Sequence, residues 1–225
     1  MPSIAIFGGP GSGAIAADSV TASNAGSEHT RLLGFLNDAL PPGSSVSGAP
    51  VLGPFASWRD LPEDTLFLAP LHRAKAMEER LRIVEKLGIP ANRWATIIDP
   101  RSAVAADAEL GYGCFIGPFA TVGPATSIGP HTVVRSGAHV SHDCGLGTFV
   151  FVGINAVISG FGSVGDGAFV GPGAIVREHR RLGRFAVVGA GSVVRKDVQE
   201  NEVVSGLAAR RVGAPMAAPP EEDID

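Results

Sequence analysis

The sequence predicts a small α/β domain followed by a parallel β-helix of six-residue repeats, and three observations predict it. From Val104 to Val194 every sixth residue is Val, Ile or Leu, sixteen positions without an insertion or a skip. Ten of the sixteen residues that follow them are Gly. Ahead of the repeat, the apolar run Ile4-Ala5-Ile6-Phe7 leads into Gly8-Gly9-Pro10-Gly11-Ser12-Gly13 and then Ala14-Ile15-Ala16-Ala17.

A strict period of six belongs to neither an ordinary strand, which alternates by two, nor a helix, which repeats every 3.6 residues. It fits a coil with three flat sides, each hexapeptide forming one side with its aliphatic residue inward and the Gly taking the corner dihedral. Three hexapeptides close one turn, so the repeat gives a little over five turns stacked ~4.8 Å apart. Each inward aliphatic contributes roughly 1.5–3 kcal/mol of burial against an ordering cost of about 1–2 kcal/mol per residue. Single turns therefore fail alone and stacked turns succeed. Cys114 and Cys144 lie five hexapeptides apart, on different sides of the prism, and are expected as free thiols.

The first hundred residues read as strand, Gly loop, helix and strand, which predicts a small, mostly parallel sheet of Rossmann type. Strands are expected at Leu32–Leu36, Val51–Leu52 and Thr65–Ala69. A helix is expected over Ala74–Leu87, with Met77, Leu81, Val84 and Leu87 on one face. Trp94–Ile98 leads to Asp99-Pro100, which sets the expected division into residues 1–99, 100–213 and a disordered, Pro- and acid-rich tail at 214–225.

Composition narrows the function. The 30 Gly and 17 Pro mark tight corners. A formal charge of -4 gives no reason to expect nucleic acid as a partner. No apolar run reaches the roughly 18–20 residues of a membrane span, and the N-terminus lacks the pattern of a signal peptide. Two cysteines are too few for a disulfide framework, so a cytoplasmic setting is expected.

Three stretches give a specific resemblance. They are Gly34-Phe35-Leu36-Asn37-Asp38, the segment Gly137-Ala138-His139-Val140-Ser141-His142-Asp143-Cys144, and the coil Val188-Gly189-Ala190-Gly191-Ser192-Val193-Val194-Arg195-Lys196-Asp197-Val198. From the Gly loop to about Val212, the chain resembles the hexapeptide-repeat acyltransferases of the sialic acid O-acetyltransferase and nucleotide-amino-sugar N-acetyltransferase type. The resemblance implies a left-handed β-helix, a homotrimer, and acetyl-CoA as acyl donor between subunits. The acceptor it implies is a nucleotide-linked amino sugar used in glycan synthesis, and it implies no metal.

Acetyl transfer from a thioester to an amine needs a base, donors for the oxyanion and a departing thiolate. His142 followed by Asp143 matches the family's catalytic histidine–acid pair, which implies His142 as base and Asp143 as the acid that orients it. Gly160, one turn later, matches the position whose N–H faces the thioester. Pro172 and Ala190 match positions along the pantetheine arm, and Phe151 falls where many members carry a second histidine toward the acyl carbonyl. Gly8, Gly11, Ser12, Gly13, Asn37 and Asp38 match the nucleotide-holding loop and strand end. Arg135 stands where many members have Asn near the acceptor, Ser12 where the loop usually has His, and Asp99-Pro100 where the boundary usually has His-Pro.

Other readings compete. O-acetylation of a sialic-acid-like sugar would use the same base on a hydroxyl. A β-helix scaffold without catalysis would account for Phe151 and Arg135. A γ-type carbonic anhydrase would need three histidines from His131, His139, His142 and His179 on zinc. Ser141-His142-Asp143 fails as a serine triad, because consecutive residues cannot form the relay. Arg177, Arg180, Arg181 and Arg184 are candidates for CoA phosphates or a solvated face. His139 is an accessory polar group or a solvated one.

Overall fold

The computed structural model describes residues 3–23, 30–208 and 210–213. The stretch read from the sequence as a disordered tail, 214–225, lies outside the described residues. The N-terminal part contains β1 (Ser3–Phe7), α1 (Ser12–Ser23), β2 (Arg31–Leu36), the hairpin β3 (Ser45–Val46) and β4 (Ala49–Gly53), β5 (Thr65–Leu68) and α2 (Met77–Lys86). The sheet order is β3-β4-β2-β1-β5, parallel except for the hairpin. Ile4 to Phe7 on central β1 are at most 2% exposed. Four apolar residues in a row are what a strand covered on both faces requires. The helix α2 begins at Met77 rather than Ala74, and Met77, Leu81, Val84 and Leu87 are buried as the spacing predicts.

The chain then winds into three stacked faces. Strands Ala103–Val104 through Val193–Val194 make a six-stranded first face, and Glu109–Leu110 through Arg181–Leu182 make a five-stranded second face. The eight-stranded third face starts at β6 (Ile97–Ile98) and ends at Val203–Ser205 and Arg210–Gly213. Partners are 18 residues apart, as in Thr121↔His139, Ser127↔Gly145 and Val133↔Phe151. Because Ile98 pairs with Ile116, the inward row begins one hexapeptide before Val104. Ile98 is 43% exposed, since no turn lies beneath it.

The glycines correct the expectation about corners. The left-handed dihedrals fall three residues after the inward aliphatics from Leu110 to Val188, and side chains occupy many of them, including His131 (φ 57), Asp143 (φ 53), Phe149 (φ 57) and Phe161 (φ 57). The Gly directly after the aliphatic is there for another reason. A Cβ on Gly153 would stand 2.6 Å from Pro172 N of the next turn, and one on Gly129 would stand 2.6 Å from Gly147 C. Those positions are bare because backbone rests on backbone.

The outward residues of the third face dock the α/β domain. Phe115 and Val133 are fully buried there, Phe151 is 7% exposed, and Phe169 packs against them. Phe151 and Phe169 stack at 4.5 Å with planes 7° apart. A polar clasp holds the same junction. Asp99, 0% exposed, accepts hydrogen bonds from Ser19 Oγ on α1 (2.7 Å) and from Arg101 Nε (2.9 Å) and Nη2 (2.8 Å). Arg101 reaches Asp18 as well, at 3.3 Å. The Arg101 hydrogen bonds outweigh burial and, with Ser19, hold the Asp99 carboxyl at about 2.

Two stability predictions follow from these contacts. Gly153→Ala is expected to cost about 3 kcal/mol through overpacking, whereas Gly173→Ala, with φ +65 and open space around it, costs about 1–2 kcal/mol of left-handed strain. Urea unfolding of the two variants measures the difference. The folded pKa of Asp99 lies below the usual 3.8, so its contribution of about 2 kcal/mol is complete above that value and fades as pH falls toward 2. In Asp99→Asn that part of the acid-unfolding profile is expected to disappear.

Candidate functional site

His142 and Asp143 occupy the corner between the first and second faces. The left-handed backbone at Asp143 turns its carboxylate back along the chain, and Oδ2 lies 2.8 Å from His142 Nδ1. Both side chains are about half exposed. With Asp143 holding a proton on Nδ1, Nε2 keeps its lone pair for a proton from outside.

Gly160 lies one turn further along the coil, against the imidazole. A Cβ there would come within 2.7 Å of His142 Cε1 and 2.8 Å of Nε2. Phe161 closes the side, edge-on to His142 at 5.3 Å and stacked on His179 at 4.7 Å. The Gly160 N–H has no acceptor among the described residues. At the equivalent place in other hexapeptides stand Pro118, Pro124, Pro130 and Pro172. The coil does not use that N–H, which is why proline is tolerated there and why glycine leaves a donor over.

Pro172 and Ala190 are exposed one above the other at a different corner, between the third and first faces. Phe151 is buried in the domain junction. The structure thus groups His142, Asp143 and Gly160, but a single chain leaves Pro172, Ala190 and Phe151 on other sides of the prism.

The Gly loop borders a second locus. Gly8 (φ 108) and Gly11 (φ 84) shape the turn from β1 into α1. β2 lies to one side of β1 and β5 to the other. The crevice at their carboxyl ends is therefore the switch point where open α/β sheets bind ligands. It is a cleft of ≈ 220 Å³ lined by Gly8, Pro10, Ser12, His72, Arg73 and Arg80 among others. Asn37 and Asp38 are engaged in shaping its border. Asn37 Nδ2 donates to Gly8 O (3.1 Å) and its Oδ1 accepts from the N–H groups of Ala39 and Leu40, while Asp38 Oδ1 accepts from Phe55 N–H (2.6 Å). Gly13 packs under Phe35. Arg135 crosses from the coil, and its Nη1 donates to Ser12 Oγ at 2.6 Å.

His72 was not legible as a site residue. Its ring stacks on Phe149 at 3.9 Å, and burial, aided by the neighbouring His131 and Arg135, lowers its pKa to about 3. Only the strand order, which places the end of β5 beside the Gly loop, would have found it. His131 is buried against Trp94 and Tyr112, with its pKa lowered by burial to about 4. His139 hydrogen-bonds Thr121. Among the described residues no three of His, Cys, Asp or Glu converge as metal ligands. Arg180 and Arg184 face Asp197 (3.4 Å) and Asp166 (3.9 Å) on the surface.

No protein-family model matches the chain, and no curated protein matches it in sequence. Solved structures do. The acetyltransferase domain of PglB from Neisseria gonorrhoeae, in complex with acetyl coenzyme A, is 27% identical over 93% of this chain and 98% of its own, with a TM-score of 0.82. A histidine-to-alanine mutant of GDP-perosamine N-acetyltransferase from Caulobacter crescentus, in complex with CoA and GDP-perosamine, is 24% identical over 94% of this chain and 97% of its own, with a TM-score of 0.81. WeeI from Acinetobacter baumannii is 24% identical over 94% of this chain and the whole of its own, with a TM-score of 0.80. The chain is a left-handed parallel β-helix preceded by an α/β domain. Its fold is that of the hexapeptide-repeat sugar N-acetyltransferases, as the motifs predict.

The His142–Asp143 contact carries a prediction. Neutral His142 is expected as the Nδ1–H tautomer, and in Asp143→Asn as a mixture with the Nε2–H form. In Gly160→Ala the displaced ring is expected to lose the contact as well. Nitrogen-15 NMR of the imidazole reads both outcomes.

Proposed function

We propose that the protein is an acetyl-CoA-dependent N-acetyltransferase acting on the amino group of a nucleotide-linked amino sugar. The observation that carries the reading is the His142–Asp143 pair held over an unused backbone N–H at Gly160. The similar PglB domain and GDP-perosamine enzyme, with acetyl coenzyme A or CoA bound, support the donor, and GDP-perosamine in the second supports the class of acceptor.

The residues perform the transfer as follows. The neutral amine attacks the thioester carbonyl while His142 Nε2 takes its proton, and Asp143 stabilises the imidazolium. The Gly160 N–H donates to the oxyanion. Collapse expels the CoA thiolate, which recovers the proton from His142. Pro172 and Ala190 hold the pantetheine arm through carbonyl and backbone contacts, while Phe151, buried under the α/β domain, leaves the acyl group to the His142 corner. Gly8, Gly11, Ser12, Gly13, Asn37, Asp38 and Arg135 hold the acceptor.

His142 sits at one corner, whereas Pro172 and Ala190 sit at another and the crevice with Arg135 beside the third face. We therefore assign catalysis to grooves between copies in a homotrimer, each copy supplying one wall. The free thiols Cys114 and Cys144 support a cytoplasmic setting.

CoA release from acetyl-CoA, measured with UDP-, GDP- and dTDP-linked amino sugars, tests the assignment. Turnover is expected with one acceptor, and His142→Ala is expected to lower kcat by about 10²–10⁴-fold. Activity that survives the substitution would remove His142 as base. Bound CoA with no turnover on any acceptor would favour the scaffold reading.

A further inference from the structure

Phe161 stands beside the candidate base at a place where the coil does not require it. Equivalent left-handed corners hold Gly113, Gly137, Gly173 and Asn155, residues that accept a positive φ at little cost. A phenylalanine at φ 57 is strained, and at 49% exposure its burial does not offset the strain. The other corner phenylalanines are engaged differently. Phe149 stacks on His72 inside the domain junction, Phe185 is buried, and Phe119 lies under the Arg101 guanidinium. Phe161 instead has a histidine on each side.

His179, one turn on, repeats the corner dihedral (φ 56), and its ring lies parallel to that of Phe161, with centroids 4.7 Å and planes 5° apart. That separation matches the ~4.8 Å spacing of the turns, so the coil itself sets the stack. The backbone ties the group together. Phe161 N–H donates to His142 O (3.2 Å) and His179 N–H to Gly160 O (3.1 Å). The His142 imidazole stands perpendicular to the Phe161 ring, at 5.3 Å and 88°. Edge-on aromatic pairs attract at that distance.

The base needs this support. Its hydrogen bond to Asp143 joins two half-exposed side chains, and such pairs add little stability in water. The bond also restrains only one motion. It distinguishes the two flips of the ring about Cβ–Cγ, since one of them would turn a carbon toward the carboxylate. It does not stop the ring from swinging about Cα–Cβ, because the exposed Asp143 side chain can follow. Phe161 closes that path on one side, while Gly160, bare of a Cβ, leaves the ring the space it occupies.

We infer that Phe161, propped by His179, is a positioning residue for His142. It holds the imidazole so that Nε2 stays open to the amine, while Asp143 selects the tautomer. This rests on His142 being the base of the proposed transfer and adds to it the side chains that keep the base in place.

The test compares Phe161→Leu, Phe161→Tyr, His179→Ala and a control, Phe119→Leu, in the full chain. Leu makes the same demand on the corner backbone as Phe but offers no ring, and Tyr restores the ring. Nitrogen-15 NMR of the His142 imidazole is expected to show the Nδ1–H form in the wild type, Phe161→Tyr and Phe119→Leu. In Phe161→Leu a mixture with the Nε2–H form is expected. His179→Ala is expected to fall between them, and it carries the test if Phe161→Leu does not fold, since Ala125 occupies such a corner at φ 52. In CoA release, kcat is expected to fall about ten-fold in Phe161→Leu, short of the roughly 10²-fold that a 1 Å misplacement brings. KM for acetyl-CoA is expected to stay unchanged, and Phe161→Tyr to recover the rate. An unchanged imidazole spectrum in Phe161→Leu, an equal loss in Phe161→Tyr, or a mixed tautomer with undiminished kcat overturns the inference. If the wild type turns over no acceptor, acyl transfer fails and the NMR comparison alone decides the positioning role. Turnover that depends on His142 but not on Phe161 sinks this inference and leaves acyl transfer standing.

Discussion

Everything in this molecule depends on backbone resting on backbone at intervals of 18 residues. At ten of the sixteen steps the residue after the inward aliphatic is Gly, and at positions such as Gly129 and Gly171 a Cβ would stand 2.6 Å from main-chain atoms above. The ladder hydrogen bonds between turns set the vertical spacing, so a position recurs on the same face at every turn. The inward row then packs as a continuous aliphatic column from Ile116 to Val194, and the outward rows are free to differ between faces.

That freedom is where function enters. The third face presents Phe115, Val133, Phe151 and Phe169 and takes the α/β domain, whereas the second face presents Glu109, Ser127, Ser163 and Arg181 to solvent. Corner residues are held in a left-handed conformation that no longer depends on glycine. Asp143 is aimed at His142 by the same dihedral that turns the chain at Phe149 and Phe185. Precision at the candidate base is therefore a by-product of the fold's regularity, which agrees with the general need for rigid support beneath a reacting group.

The period of six was fully legible in the sequence because each step is a single-residue test repeated sixteen times. The strands of the α/β domain were legible as short apolar runs, but their order was not. The crevice beside His72 therefore had no signal. The corner chemistry was misjudged for a physical reason. Glycine has two uses, freedom of φ and absence of volume, and the sequence alone does not say which one a position needs. The docking face was readable and overlooked. Ile97, Phe115, Val133, Phe151, Phe169 and Val187 recur every 18 residues, one place before the inward row. That pattern marks a second apolar face, which the α/β domain covers.

The end of the stack breaks the rule that builds it. Leu182 pairs with Val198 and Val187 with Val203, each 16 residues on, and the strand Arg210–Gly213 then returns antiparallel. A ladder of identical rungs is an open template on which another chain's rungs could continue, the hazard carried by any bare strand edge. A short last rung followed by a reversed one offers the wrong spacing and the wrong polarity. It works as a stopper, giving a repetitive polymer of its own segments a defined length and keeping neighbouring molecules from growing end to end.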